Sequence, residues 1–140
     1  MMRGILLLTP PLDVCAQMAL DEAMARRESA DFVLRFFRWK GMGATFGYSQ
    51  RFAEVERALP AELLCACTRR PTGGGIVLHV DDLTFTCVFP ADGELRPAVL
   101  YGRLHAAVRQ GLLGAGVEAR LCADLGVTSP SRDGQATQCF

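Results

Sequence analysis

Apolar residues fall in short dense blocks, broken by proline, glycine and acidic turns, as in a chain of strands and helices folded into layers. Residues 5–8 form a short apolar run that reads as a buried strand closed by Pro10 and Pro11. Asp13 can cap a helix reaching about Ser29. On it, Ala16, Ala19, Leu20 and Ala23 share one face at helical spacing, while Asp21, Glu22, Arg26 and Arg27 lie largely on the other. Residues 32–39 are dense in aromatic and branched side chains and read as a strand. Lys40-Gly41-Met42-Gly43 is a turn, and residues 44–48 return as a second strand, which predicts a hairpin.

A short helix is expected over residues 52–59, interrupted by Pro60 and resumed over 62–65. Residues 67–70, 76–80 and 83–89 read as three further strands, the last two joined by Asp81-Asp82. Pro97 suits the first turn of a helix whose apolar stripe is Leu100, Leu104, Val108 and Leu112. Gly114 and Gly116 end it, and residues 117–122 read as a last strand. Beyond Gly126 the chain turns polar and loop-like. Hairpin-linked strands between separated helices point to an α+β layer fold rather than a regular βαβ alternation.

The 140 residues suit one domain, and half of them are hydrophobic, enough to bury a core. The formal charge is zero, with 15 basic and 15 acidic residues, so the basic excess typical of a nucleic-acid binder is missing. Lys40 is the single lysine among the basic residues, the rest being arginine. Arginine forks around carboxylates and phosphates but stays protonated, which makes it a poor general base. Six cysteines occur: Cys15, Cys65, Cys67, Cys87, Cys122 and Cys139. The amino terminus has too short an apolar run for a secretion signal, and no segment approaches a membrane span. A reducing, cytoplasmic setting with free thiols is therefore expected. Cys65 and Cys67 are not followed by a second pair at zinc-ligand spacing, so no metal site is expected.

Three consecutive glycines, Gly73, Gly74 and Gly75, follow a strand and the pair Arg69-Arg70. Glycine lets the backbone approach a ligand closely, and amides beside two guanidinium groups suit an anion. The plain alternative is a tight turn. The closing Gly-Lys-Ser/Thr of a P-loop is absent. Gly114-Ala115-Gly116-Val117-Glu118-Ala119 loosely matches a dinucleotide fingerprint, but it follows a helix, so a helix stop is the better reading. His79 ends a strand shortly before Asp81-Asp82, a solvated turn in which Asp82 is expected to fix the local backbone.

Five stretches occur in a telling order: Gln17-Met18-Ala19-Leu20-Asp21-Glu22-Ala23, Leu34-Arg35-Phe36-Phe37-Arg38-Trp39, Phe46-Gly47-Tyr48-Ser49-Gln50, Arg69-Arg70-Pro71-Thr72-Gly73-Gly74-Gly75-Ile76-Val77-Leu78-His79, and Asp82-Leu83-Thr84-Phe85-Thr86. Together they resemble the lipoate–protein ligase A and octanoyltransferase family, whose catalytic fold is shared with biotin protein ligases. The resemblance implies an α+β domain with a mixed, largely antiparallel sheet flanked by helices and a tunnel for a lipoyl or octanoyl chain. Arg69, Arg70, Thr72, Gly73, Gly74, Gly75 and His79 match the loop and strand that hold the acyl group and the acyl-adenylate phosphate. Arg35, Phe37 and Trp39 either border that pocket or belong to an ordinary core strand.

The family's Gly-Arg-Lys- or Gly-Lys-Lys-type segment is not found in this sequence, and Lys40 stands in the wrong place to replace its lysine. The domain spanning residues 1–140 is therefore expected to be incomplete, a fragment or a subunit completed by a C-terminal segment or another chain. Cys139-Phe140 is similar to a pair in the cysteine octanoyltransferases, where the cysteine carries octanoate as a thioester. For Cys139 a catalytic role and a binding or structural one both stay open. One reading is octanoyl transfer from an acyl carrier protein, with no cofactor, to a lysine of a lipoyl domain of a 2-oxoacid dehydrogenase or of the glycine cleavage H protein. Another is ligation of lipoate with ATP and Mg to the same lysine. A third is a non-catalytic acyl-binding fragment. A biotin ligase fits less well, because its glycine motif is Gly-Arg-Gly-Arg-like. Nucleic acid and membrane are not expected partners.

Overall fold

The structure, a computed structural model, describes residues 4–27, 32–90 and 97–125. They fall into two compact units, one running to Pro90 and one from Pro97 onward.

The first unit is α+β, with two three-stranded mixed sheets and flanking helices. Strand β1 (Gly4–Leu8) leads into helix α1 (Val14–Arg26) and strand β2 (Phe32–Arg38). Strand β3 (Gly43–Phe46) leads through helices α2 (Phe52–Ala58) and α3 (Ala61–Leu64) to strand β4 (Cys67–Arg69). Strands β5 (Val77–His79) and β6 (Leu83–Val88) follow. The sheets are ordered β1-β2-β6 and β4-β3-β5. Each central strand has a parallel partner reached by a helical crossover: β1 for β2, and β4 for β3. Each also has an antiparallel partner supplied later: β6 for β2, and β5 for β3.

This arrangement corrects the hairpin expected across residues 40–43. Strands β2 and β3 do not pair, because the chain leaves one sheet at Trp39 and enters the other at Gly43. It crosses back between His79 and Leu83. A turn rich in glycine allows a hairpin but equally allows a change of sheet, and local composition does not separate the two. β1 was expected to be buried. It is an edge strand, with Leu6 62% and Leu8 77% exposed.

Asp13 caps α1, its carboxylate accepting from the Ala16 amide at 2.9 Å. The helix ends at Arg26, a turn before the expected limit, and its buried face is Val14, Gln17, Met18 and Asp21 rather than the alanine face. Alanine gains little from burial, whereas Gln17 and Asp21 are drawn inward by a buried cation. Val14 and Met18 pack with Phe37 and Trp39 as the apolar core. Arg35, wholly buried at the centre of β2, donates to Asp21 Oδ1 at 2.6 Å, Thr9 Oγ1 at 3.0 Å and Gln17 Oε1. Its guanidinium also lies 4.0 Å over the Phe37 ring. Thr86 donates to Asp21 Oδ2 at 2.8 Å, and Gln17 Nε2 donates to the Arg38 carbonyl at 2.8 Å. Burial pushes the Asp21 carboxyl up, against the opposing pull of Thr86 and Arg35. Among the described residues no buried side-chain nitrogen or oxygen lacks a partner.

The second unit holds helix α4 (Pro97–Gly114) and a single 3₁₀ turn (Cys122–Leu125). Gly116, at φ 79°, closes α4 in a Schellman motif: its amide donates to Leu113 at 3.0 Å, and the Val117 amide to Leu112 at 2.9 Å. The glycine pair is thus the helix stop expected. Among the described residues, 117–121 form no strand, and Cys122 begins the 3₁₀ turn instead of ending the expected strand. Among the described residues no helix is long and apolar enough to cross a membrane.

Candidate functional site

The glycine loop, residues 71–75, joins β4 to β5 and folds back over the end of β3. Two backbone bonds seat it: the Arg70 amide donates to the Phe46 carbonyl at 2.8 Å, and the Tyr48 amide to the Thr72 carbonyl at 2.9 Å. Between them Gly47 and Gly74 touch backbone to backbone. A Cβ on Gly47 would stand 3.0 Å from the Gly74 nitrogen and would collide with its carbonyl. Gly74 itself sits at φ 96°, where side chains are strained. The glycine requirement therefore has a physical cause at two positions, one of them outside the triplet.

Arg70 grips the loop from inside. Its Nη2 donates to the carbonyls of Gly73 at 3.0 Å and Gly75 at 2.7 Å, and its Nη1 to Thr45 Oγ1 at 2.8 Å. Arg69 braces the neighbouring turn by donating to the carbonyls of Tyr48 and Gln50, the latter at 2.8 Å. Its guanidinium lies 4.8 Å over the Phe46 ring. Each arginine thus uses its fork on backbone carbonyls and shapes the loop it flanks.

His79 is buried on β5 beneath this loop. Its Nε2 lies 2.9 Å from Thr45 Oγ1 and its Nδ1 3.0 Å from Asp82 Oδ2. Trp39 stacks on the imidazole, with ring centroids 3.8 Å apart and planes inclined by 24°. Asp82 gathers donors: Trp39 Nε1 and Thr84 Oγ1 each reach Oδ2 at 2.9 Å, and the Val80 amide reaches Oδ1 at 3.2 Å. Partial burial raises its pKa, but the bonds from His79, Thr84 and Trp39 outweigh this and hold the carboxyl below its usual range. Asp81 points to Arg38 instead, at 3.0 Å across an exposed pair. Among the described residues no group of three or more His, Cys, Asp or Glu is placed to hold a metal ion.

Arg69 at the end of β4, Arg70, Thr72 and the glycine triplet in the connection that follows it, and His79 on β5 therefore lie together. Trp39 joins them, while Arg35 and Phe37 belong to the core network. Cys139 lies outside the described residues. Sequence reasoning missed Thr45 and Gly47. Gly47 carried a sign, because it stands in one of the five quoted stretches; Thr45 is an ordinary strand residue in the sequence. Asp82 fixes its local turn as expected, and it also reaches His79.

Residues 13–132 match the model of the lipoyl protein ligase A/B catalytic domain. The chain belongs to this family. The octanoyltransferase LipM of Exiguobacterium sibiricum is 33% identical over 119 residues, covering 79% of this chain and 43% of the relative. LipM of Moorella thermoacetica is 36% identical over 117 residues, covering 76% and 42%. Among solved structures, a putative lipoate protein ligase from T. acidophilum aligns with a TM-score of 0.68 at 30% identity, covering 85% of this chain and 50% of that one. A lipoate-protein ligase A bound with ATP aligns with a TM-score of 0.65 at 27% identity, covering 85% and 49%. A bi-partite lipoate protein ligase from Thermoplasma acidophilum, described with its E2 lipoyl domain, aligns with a TM-score of 0.66 at 28% identity, covering 86% and 49%. The chain spans about half the length of the relatives it matches.

Proposed function

We propose that this chain forms the acyl-holding half of a protein-lipoylating enzyme, and that octanoyl transfer is its reaction. The observation that carries the reading is the clamped glycine loop. Gly47 beneath it and Arg70 within it hold a side-chain-free backbone in one shape, which a carboxyl-derived group can approach closely. Arg69, Arg70, Thr72, Gly73, Gly74, Gly75 and His79 make up the holding site. The octanoyltransferase relatives favour transfer over ligation.

In this reading the Cys139 thiolate attacks the thioester carbonyl of an octanoyl acyl carrier protein, and the carrier leaves as its thiol. The amine of a lipoyl-domain lysine, on a 2-oxoacid dehydrogenase or a glycine cleavage H protein, then attacks the Cys139 thioester. An amide forms, and the cysteine is released as a thiol. No ATP is consumed, because the thioester is already activated. A complementary C-terminal segment or subunit supplies the lysine-bearing segment this sequence lacks. The ligase reading is supported by the ATP-bound neighbour. It would need ATP with Mg.

The test is intact-mass analysis after mixing the chain with octanoyl acyl carrier protein. An octanoyl adduct that disappears in Cys139→Ser supports transfer. Lipoate-dependent pyrophosphate release from ATP, with no adduct, overturns it in favour of ligation. Octanoate binding with neither product would mark a chain that holds the acyl group without turning it over.

A further inference from the structure

Four side chains beneath the glycine loop form a single file of hydrogen bonds. Arg70 Nη1 meets Thr45 Oγ1 at 2.8 Å, Thr45 Oγ1 meets His79 Nε2 at 2.9 Å, and His79 Nδ1 meets Asp82 Oδ2 at 3.0 Å. For a neutral imidazole, hydrogen-bond chemistry assigns each proton. A guanidinium only donates, so Thr45 accepts from Arg70 and its own hydroxyl proton goes to His79 Nε2. A carboxylate only accepts, so the imidazole proton sits on Nδ1 and points at Asp82. All three bonds run in one direction, from a cation on the loop to an anion on the turn between β5 and β6. Bonds aligned in this way polarise one another. Both imidazole nitrogens are engaged by protein groups, and Trp39 covers one face of the ring. His79 is thereby a link in the file.

We propose that Asp82 is a positioning residue that acts through His79 and Thr45 to orient Arg70, and so sets the grip of Arg70 on the Gly73 and Gly75 carbonyls. This deepens the acyl-holding reading of the same loop and rests on it. Asp82 stands in the segment that returns the chain to the β1-β2-β6 sheet, while Arg70 stands next to β4 in the other sheet. The file therefore makes the shape of the loop depend on how the chain crosses between sheets. Trp39, at the other crossing, is bonded to the same Asp82 oxygen at 2.9 Å.

The experiment uses the 140-residue chain and two readouts that need no substrate. Long-range ¹H–¹⁵N spectra report the His79 tautomer, and amide hydrogen exchange reports the loop residues 72–75 against strand β2. Wild type is expected to show His79 protonated on Nδ1. Asp82→Ala should move the proton toward Nε2 and speed loop exchange about tenfold, the order expected for one lost net hydrogen bond, with β2 unchanged. Thr45→Val should speed the loop equally, and Thr45→Ser, which keeps the hydroxyl, should restore it. If Asp82→Ala accelerates β2 and the loop alike, Asp82 is merely structural and the proposal fails. It fails also if Thr45→Val leaves loop exchange at the wild-type rate. Octanoate binding by calorimetry separates the two layers. A loosened loop with unchanged octanoate affinity leaves the file standing and overturns the acyl-holding reading.

Discussion

Two of the arginine–aspartate partnerships among the described residues serve different ends. In the core, Arg35 and Asp21 meet directly at 2.6 Å, with side chains 0% and 9% exposed. At the loop, Arg70 and Asp82 are joined through Thr45 and His79, and the Asp82 side chain is 43% exposed. A direct buried pair is all or nothing, because losing one partner strands a charge in a medium that cannot solvate it. A file of hydrogen-bonded links between separated charges can lose a member and relax at modest cost. The first arrangement suits a fixed scaffold joining β1, α1, β2 and β6. The second suits a loop whose shape must be set but not locked.

The sharpest way to break this contrast is Asp21→Ala, expected to cost about 3–5 kcal/mol by leaving Arg35 unpaired. Asp82→Ala should cost about 1–2 kcal/mol, the scale of lost hydrogen bonds at a partly exposed group. Urea unfolding of the two variants measures both; equal losses would erase the distinction. Gly47→Ala comes next. The collision of its methyl with Gly74 should cost about 1–3 kcal/mol, displace the loop and weaken octanoate binding, read by calorimetry, while leaving the Arg35 network untouched. Arg70→Lys is expected to be milder, near 1 kcal/mol, because a lysine keeps the charge but cannot grip two carbonyls and Thr45 in one plane. Its signature is faster exchange at Gly73–Gly75 with little change in the urea midpoint.

Acid sharpens the comparison further. The Asp82 carboxyl is held below its ordinary 3.8, so its stabilising contribution is present above that pH and is lost as pH falls through the folded-state value. The gap in urea midpoint between wild type and Asp82→Asn should therefore close as pH falls below about 4. The smallest effect concerns thiols. Burial pushes the Cys67 and Cys87 thiols up, that of Cys67 with help from Cys15 nearby, whereas Cys15 and Cys65 are exposed. Alkylation at pH 8 followed by peptide mass mapping should label Cys15 and Cys65 before Cys67 and Cys87.

Much of the fold was legible. The extents of β2, α2, β6 and α4, the Asp13 cap and the Gly116 helix stop followed from local rules, since each depends on neighbours in sequence. The Arg69–His79 run also announced a family and a loop, because three glycines after two arginines is a rare local pattern. Less was legible wherever a partner lay far along the chain. The buried face of α1 was misread, since what turns Gln17 and Asp21 inward is Arg35, reached only after a change of element. β1 was misread because apolar content says nothing about whether a strand lies at an edge.

Sequence alone determined the family, the layered class and the run of residues that forms the loop, because glycine conformation, capping and periodicity act over a few residues. Tertiary structure decided that β2 and β3 belong to different sheets, that Gly47 lies under Gly74, and that Thr45 and His79 stand between Arg70 and Asp82. Those facts depend on strand pairing, and pairing is settled by which long-range contacts best bury apolar surface and satisfy polar groups, a choice no local window contains.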